Sequence, residues 1–175
     1  IVTSNFDKTQ GRVETAWFQG GRTNLCYNAL DAQVAAGRGD RVAFLAERNG
    51  EGETAPRQPS SYTYSEALGE TRRLAAALRA RGVKAGDRVA IFMPMVPELP
   101  IAMLACARIG AVHAVVFGGF SPDSLASRIA AAGATALITA DGVDRGPKRV
   151  DLWGLASKAL ELAEEAGSPV SGDRV

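Results

Sequence analysis
Two loops hold the residues whose types and spacing could do chemistry. Phe117-Gly118-Gly119-Phe120-Ser121-Pro122 runs from an apolar stretch into a helix start. Adjacent glycines let a ligand approach the backbone closely, and a helix N-terminus attracts anions. The loop is neither G-x-G-x-x-G nor a Walker A sequence, so it carries no dinucleotide or ATP fingerprint. From the residues alone, a structural turn is the plainer reading. Arg145-Gly146-Pro147-Lys148-Arg149 sets three cations beside a glycine, a composition that suits phosphate or pyrophosphate. A solvated lead-in to a helix is the plainer alternative. The two loops together favour a phosphorylated ligand more than either does alone.

Other chemistries find little support. His113 is the only histidine, and no His/Cys/Asp cluster has zinc spacing. In a strand, His113 shares one face with Val115 and Phe117, and it reads as a hydrogen-bonded structural residue. Cys26 and Cys106 are far apart and read as small buried hydrophobes in a reduced compartment. Trp17, Trp153, Pro94, Pro97 and Pro100 read as packing and turn residues. No Ser–His–Asp set, G-x-S-x-G elbow or paired catalytic carboxylates can be identified from spacing.

The elements that must position the two loops are legible. Residues 1–25 read as an arm, 28–36 as a short helix and 41–46 (RVAFLA) as a strand. Residues 49–61 read as an exposed, hairpin-like loop. Thr63 followed by Glu66 forms a capping box that opens a helix running to about Arg81, with Ala67, Leu68, Thr71, Leu74, Ala75 and Leu78 as its buried stripe. Gly82 suits the left-handed turn that ends it. Three short apolar runs follow at nearly even spacing: 88–92 (RVAIF), 112–117 (VHAVVF) and 135–139 (TALIT). Helices over 98–109 and 122–132 separate them, each closed by a glycine. Ser121 is a good N-cap and Pro122 fits the first helical position. A last helix spans 152–166. Buried parallel strands joined by helical crossovers make an α/β fold with a parallel sheet and flanking helices. Ligands of such sheets bind beyond the carboxyl ends of the strands. Loops 93–97, 118–122 and 140–149 share that edge.

Composition narrows the partners. A net charge of +1 argues against a nucleic-acid or membrane-surface partner, and no apolar run approaches a membrane span. With 46% hydrophobic and 22% charged residues, the chain is globular rather than disordered. It begins at Ile1 and stops at Val175, and both ends read as cut. Part of a larger domain would leave sheet edges uncovered, and the last helix would need a surface for Leu155, Ala159, Leu162 and Ala163.

The sequence resembles the AMP-forming acetyl-CoA synthetases, a branch of the adenylate-forming enzymes. The resemblance rests on Trp17-Phe18-x-Gly20-Gly21-x-Thr23-Asn24, Cys26-Tyr27-Asn28-Ala29-Leu30-Asp31 and Gly86-Asp87-Arg88-Val89-Ala90-Ile91. It is strongest over Met93-Pro94-Met95-Val96-Pro97-Glu98-Leu99 and from Met103 to His113, and it continues through Val116-Phe117-Gly118-Gly119-Phe120-Ser121-Pro122. It implies a ligase that joins acetate to ATP as acetyl-AMP, with magnesium, and then transfers the acetyl group to coenzyme A. By match, Phe117, Gly118, Gly119, Arg145, Gly146, Pro147 and Lys148 would help hold coenzyme A; none would be a chemical catalyst. Pro147 departs from the small or polar residue usual there. The family's phosphate loop, its magnesium-supporting motif, the acyl pocket and the C-terminal lysine have no counterpart in these residues. The chain is therefore expected to be the N-terminal portion of such an enzyme, inactive alone, with the magnesium site elsewhere. Residues 1–40 would be an arm and first helix, and 41–175 the first part of the large N-terminal α/β domain. The implied partners are acetate, ATP and coenzyme A, with no nucleic acid and no membrane. The expected location is cytoplasmic, with a plastid or mitochondrion left open. A propionyl-CoA or other short-chain acyl-CoA synthetase, and a non-catalytic nucleotide-binding α/β module, remain alternatives.

Overall fold
The computed structural model describes residues 3–47, 60–145, 148–168 and 170. Its centre is a parallel three-stranded sheet of β5 (Arg88–Met93), β6 (Val112–Phe117) and β7 (Ala136–Thr139), in the order β6-β5-β7. Among the described residues four α-helices flank it: α1 (Tyr64–Ala80), α2 (Glu98–Ile109), α3 (Pro122–Ala132) and α4 (Leu152–Glu165). The α/β class and the parallel sheet agree with the sequence reading.

Strand β5 is the spine. Val89, Ala90, Ile91 and Phe92 are all fully buried, because both faces of this strand are covered. Val89, Ile91 and Met93 pack with α1 and α2. Ala90 and Phe92 pack on the other face with α3 and α4. Topology explains the division. From β5 the chain crosses through α2 to β6, then back past β5 through α3 to β7. Right-handed crossovers in opposite directions put their helices on opposite faces, and α2 and α3 lie that way. Strand β6 is an edge; among the described residues it pairs only with β5 and leaves Val112, Val115 and Phe117 about half exposed.

The caps hold the helices where the sequence puts them. The Thr63 side chain accepts from the Glu66 N–H at 3.2 Å, and the Glu66 carboxylate accepts from the Thr63 N–H at 2.8 Å. The Thr63 N–H, and then the Thr63 hydroxyl at 2.9 Å, donate to the Glu66 carboxylate and hold its carboxyl below the usual range. Gly110 and Gly133 close α2 and α3 in the left-handed conformation, at φ 78° and 57°. The buried stripe of α4 is Leu152, Ala156, Ala159 and Ala163. Leu155 and Leu162, expected to lie on that side, are half-buried at its margin. The stripe finds its surface on α3 and on the Phe92 face of the sheet.

Three segments differ from the sequence reading. The arm contains a two-stranded antiparallel hairpin, β1 (Thr3–Asn5) with β2 (Glu14–Ala16), around a short helical turn capped by Asp7. The short helix begins near Leu25 and is wound as π-helix over Tyr27–Asp31 and Val34–Arg38. Strand β3 (Val42–Ala46) pairs antiparallel with β4 (Ser60–Thr63). The hairpin-like loop read over 49–61 lies mostly outside the described residues; Ser60 and Ser61 are strand.

Both cysteines are free and fully buried. Burial pushes the Cys106 thiol up to about 11. Thiolates rather than thiols react, so neither cysteine should modify measurably with an aromatic disulfide reagent at neutral pH until denaturant is added. A rapid stoichiometric reaction of either thiol in the folded chain would contradict this packing.

Candidate functional site
The carboxyl ends of β5 and β6 lie side by side, with Met93 opposite Phe117. The chain leaving β5 turns to the α2 face and the chain leaving β6 turns to the α3 face. The chain leaving β7 goes on to α4, also on the α3 face, so the connections diverge around the carboxyl end of β5, a topological switch point of the kind at which open α/β sheets form a crevice. The glycine loop occupies it. The Phe120 N–H bonds to the Phe117 carbonyl at 3.1 Å and closes the turn. Ser121 then caps α3, accepting from the Ser124 N–H at 3.3 Å.

Each glycine is needed for a different reason. Gly118 is buried, and a Cβ there would stand 3.3 Å from the Met93 carbonyl oxygen and 3.6 Å from Leu152. Gly119 is exposed, and a Cβ there would stand 2.6 Å from the Phe117 ring and 2.9 Å from a guanidinium nitrogen of Arg145. The first lets the loop lie against the strand end. The second leaves space that a ring and a cation now fill.

The basic segment does not sit on a loop, as the sequence reading had it. Gly142–Arg145 (β8) and Lys148–Asp151 (β9) form an antiparallel hairpin with Arg145 opposite Lys148. Val143 and Val150 face each other and pack on the α3–α4 core. Two strands so short and polar give almost no period-2 signal, so the sequence alone does not reveal them. Gly146 and Pro147 lie outside the described residues.

The three cations of this segment have different partners. Arg149 is bound to Asp141 at 2.8 Å and lies 3.5 Å from Asp144. Arg145 has no ion pair among the described residues; its guanidinium lies 5.2 Å from the centre of the Phe117 ring. Lys148 is exposed and has neither hydrogen bond nor ion pair among the described residues. Phe117, Gly118, Gly119 and Arg145 are thus together, and Lys148 stands next to Arg145 across the hairpin. Of the three, Arg145 and Lys148 are the two without a carboxylate partner among the described residues.

Sequence reasoning missed two neighbours. Phe120 meets Phe117 edge to face at 6.0 Å between centroids, and Arg128 lies 4.3 Å over the Phe120 ring. The i, i+8 spacing from Phe120 to Arg128 across a helix start is the signal that could have paired them. His113 is half-buried, and among the described residues its side chain makes no hydrogen bond, against expectation; it sits on β6, which among the described residues is an edge strand. Trp17 is largely exposed rather than packed, since the arm carrying it lies outside the core clusters.

Other surfaces are less suggestive. A cleft of about 640 Å³ between α1 and α2 is lined by Asn24, Tyr27, Arg72, Arg79 and Arg108, among others, and contains none of the expected site residues. Two of its arginines are already bound to Asp31. Among the described residues no group of three His, Cys, Asp or Glu side chains comes together to hold a metal ion. No helix among the described residues is long and apolar enough to cross a membrane.

The chain is similar to proteins named acetyl-coenzyme A synthetase. It is 49% identical over 170 residues to one from Drosophila melanogaster, covering 95% of this chain and 24% of that protein. It is 48% identical over 170 residues to a chloroplastic/glyoxysomal one from Arabidopsis thaliana, covering 97% of this chain and 22% of that protein. It is 51% identical over 148 residues to one from Rubrobacter xylanophilus, covering 85% of this chain and 22% of that protein. The chain thus spans less than a quarter of the length of these relatives. The family model described as AMP-binding enzyme matches residues 30–172, from the π-wound helix past the end of α4 and through the whole sheet, and on that match the chain belongs to the AMP-binding enzyme family.

Proposed function
We propose that this chain supplies part of the coenzyme A site of an AMP-forming acetate–CoA ligase. The reaction is suggested by the relatives, which are named acetyl-coenzyme A synthetases. Its location on this chain rests on one observation: Phe117, Gly119 and Arg145 converge at the switch point, with Lys148 beside them.

The chemistry follows from the weakness of a carboxylate as an electrophile. An acetate oxygen attacks the α-phosphorus of ATP, and the bond to pyrophosphate breaks. The thiol sulfur of coenzyme A then attacks the acetyl carbon; the bond to AMP breaks and the thiol proton is released. The residues of this chain act in the second half by binding. Arg145 presents a planar, permanently charged fork and Lys148 a mobile point charge. Both suit the phosphates of the nucleotide end of coenzyme A. Gly118 lets the loop lie against the end of β5, and Gly119 leaves room for the Phe117 ring and the Arg145 guanidinium to meet at the site.

The test is Arg145→Ala combined with Lys148→Ala in the enzyme carrying this chain. A charged hydrogen bond contributes about 1.5–3 kcal/mol, so the apparent KM for coenzyme A should rise at least roughly tenfold. Acetate-dependent ATP–pyrophosphate exchange, which needs no coenzyme A, should fall much less. An equal fall in exchange would overturn the assignment. A second expected result concerns the 175 residues alone. With acetate, ATP and magnesium they should release no pyrophosphate above background; robust turnover would place the adenylating groups within this chain and refute the reading.

A further inference from the structure
We propose that Arg128, acting through Phe120 and Phe117, is a positioning residue that sets the direction of the Arg145 guanidinium. This rests on the coenzyme A reading for its ligand, but not for its geometry. Four side chains form one continuous stack. Arg128 lies 4.3 Å over Phe120, Phe120 meets Phe117 at 6.0 Å and 78°, and Arg145 lies 5.2 Å over Phe117. The far end is anchored: Nη1 of Arg128 donates to the Ser124 carbonyl at 3.0 Å and to the Ser124 hydroxyl at 2.6 Å. Phe120 is half-buried against the α3–α4 core and cannot swing freely.

The physical reason for such a stack is the conflict facing a ligand-binding arginine. A long exposed side chain loses much rotamer freedom when it binds, so holding it in advance favours affinity. An acidic partner would hold it but would occupy its donors and cancel its charge. Arg149, on the same hairpin, is held in that way by Asp141 and Asp144. An aromatic face attracts the cation without accepting any of its five N–H bonds. Arg145 is therefore held while its whole fork stays available. Edge-to-face contact aligns the Phe117 ring, and the contact of Arg128 with Phe120 fixes the ring that aligns it. Gly119 leaves the gap that Phe117 and Arg145 fill.

Two measurements test this. In the enzyme carrying this chain, Arg128→Ala and Phe120→Leu should each raise the KM for coenzyme A about two- to fivefold, the factor that one exposed cation–π contact supports, with a smaller effect on kcat. Arg128→Lys and Phe120→Tyr should recover most of the loss, and Arg128→Ala should add nothing once Arg145 is Ala. Independently, the guanidinium protons of Arg145 should resonate upfield by ring current, and Arg128→Ala or Phe120→Leu should move them toward free arginine. If the Arg145 resonances stay in place in both variants, the stack does not position Arg145 and the proposal fails. Full additivity of Arg128→Ala with Arg145→Ala would also overturn it. If the resonances move but Arg145→Ala leaves the KM for coenzyme A unchanged, the positioning stands and the coenzyme A reading falls. If Arg145→Ala raises that KM while the Arg128 and Phe120 variants do not, the coenzyme A reading stands and the positioning falls.

Discussion
Replacing Phe92 with Ala is expected to cost about 3–5 kcal/mol of folding stability, the range for a fully buried aromatic. Among the described residues Phe92 is the largest of the completely buried side chains, and it lies near the carboxyl end of the central strand β5. It belongs to the same buried cluster as Val116, Leu125, Ile129 and Leu152, where α3 and α4 meet the sheet. Its carbonyl accepts from the Thr139 hydroxyl at 2.9 Å, which ties β7 to β5. No single neighbour can move into the cavity, because three different elements wall it. A domain of this size is stable by about 5–15 kcal/mol, so the loss is a large share of the total. Thermal unfolding should begin roughly 10 °C lower. Phe92→Leu, which keeps most of the volume, should cost clearly less. A midpoint for Phe92→Ala within about 2 °C of the parent, well below the shift such a loss implies, would mean that the Phe92 face is not the main core.

The second large effect should come from Asp31. One carboxylate joins three helices here. Arg108 of α2 grips it at 2.7 and 3.1 Å, and Arg72 of α1 reaches it at 3.0 Å. Arg108 also lies 3.5 Å from the Cys26 sulfur. Removing one partner of a buried ion pair costs about 3–5 kcal/mol. Arg72 is more than half exposed and Arg108 about a quarter exposed, so water would screen part of that loss. Asp31→Ala should therefore cost about 2–3 kcal/mol, less than full burial implies. The pH dependence has a definite sign. The hydrogen bond from Arg108, then that from Arg72, hold the Asp31 carboxyl below the usual carboxylate range. The folded state thus releases the proton more readily than the unfolded one. The stabilisation is complete above the ordinary carboxylate pKa of about 3.9 and is lost as pH falls through the lower folded value. The gap in stability between the parent and Asp31→Asn should narrow steadily below about pH 4. A gap that stayed constant down to pH 2, or widened there, would sink this account.

Much of the architecture could be read from local signals, and the reasons are local. The capping box at Thr63 and Glu66, the N-cap at Ser121 with Pro122, and the glycines after α2 and α3 are satisfied within a few residues of themselves. Continuous apolar runs marked β5, β6 and β7 because strands of a covered parallel sheet need no polar face. Where signals were weak, the reading stopped short. The β8–β9 hairpin and the pairing of β3 with β4 involve short strands whose partners supply what the pattern lacks. Of the candidate site, Phe117, Gly118, Gly119, Arg145 and Lys148 could be named in advance by composition, position and resemblance.

By itself the sequence determined the central run of strands and helices from α1 to β7, their order, most of the buried stripe of α1 and which loops fall at the carboxyl edge. These depend on periodicity and capping, which are written in neighbouring residues. Only the tertiary structure decided the strand order β6-β5-β7, the switch point it creates and the neighbours of each cation. Three cations that look equivalent in one short segment separate in space: Arg149 is neutralised by Asp141 and Asp144, Arg145 rests on Phe117, and Lys148 has no partner among the described residues. The physical reason is that charge and ring contacts act through distances of a few ångströms across elements remote in sequence. Arg145 and Phe117 come from different strands of different sheets, and Arg128 from a helix between them. No spacing rule along the chain encodes that meeting.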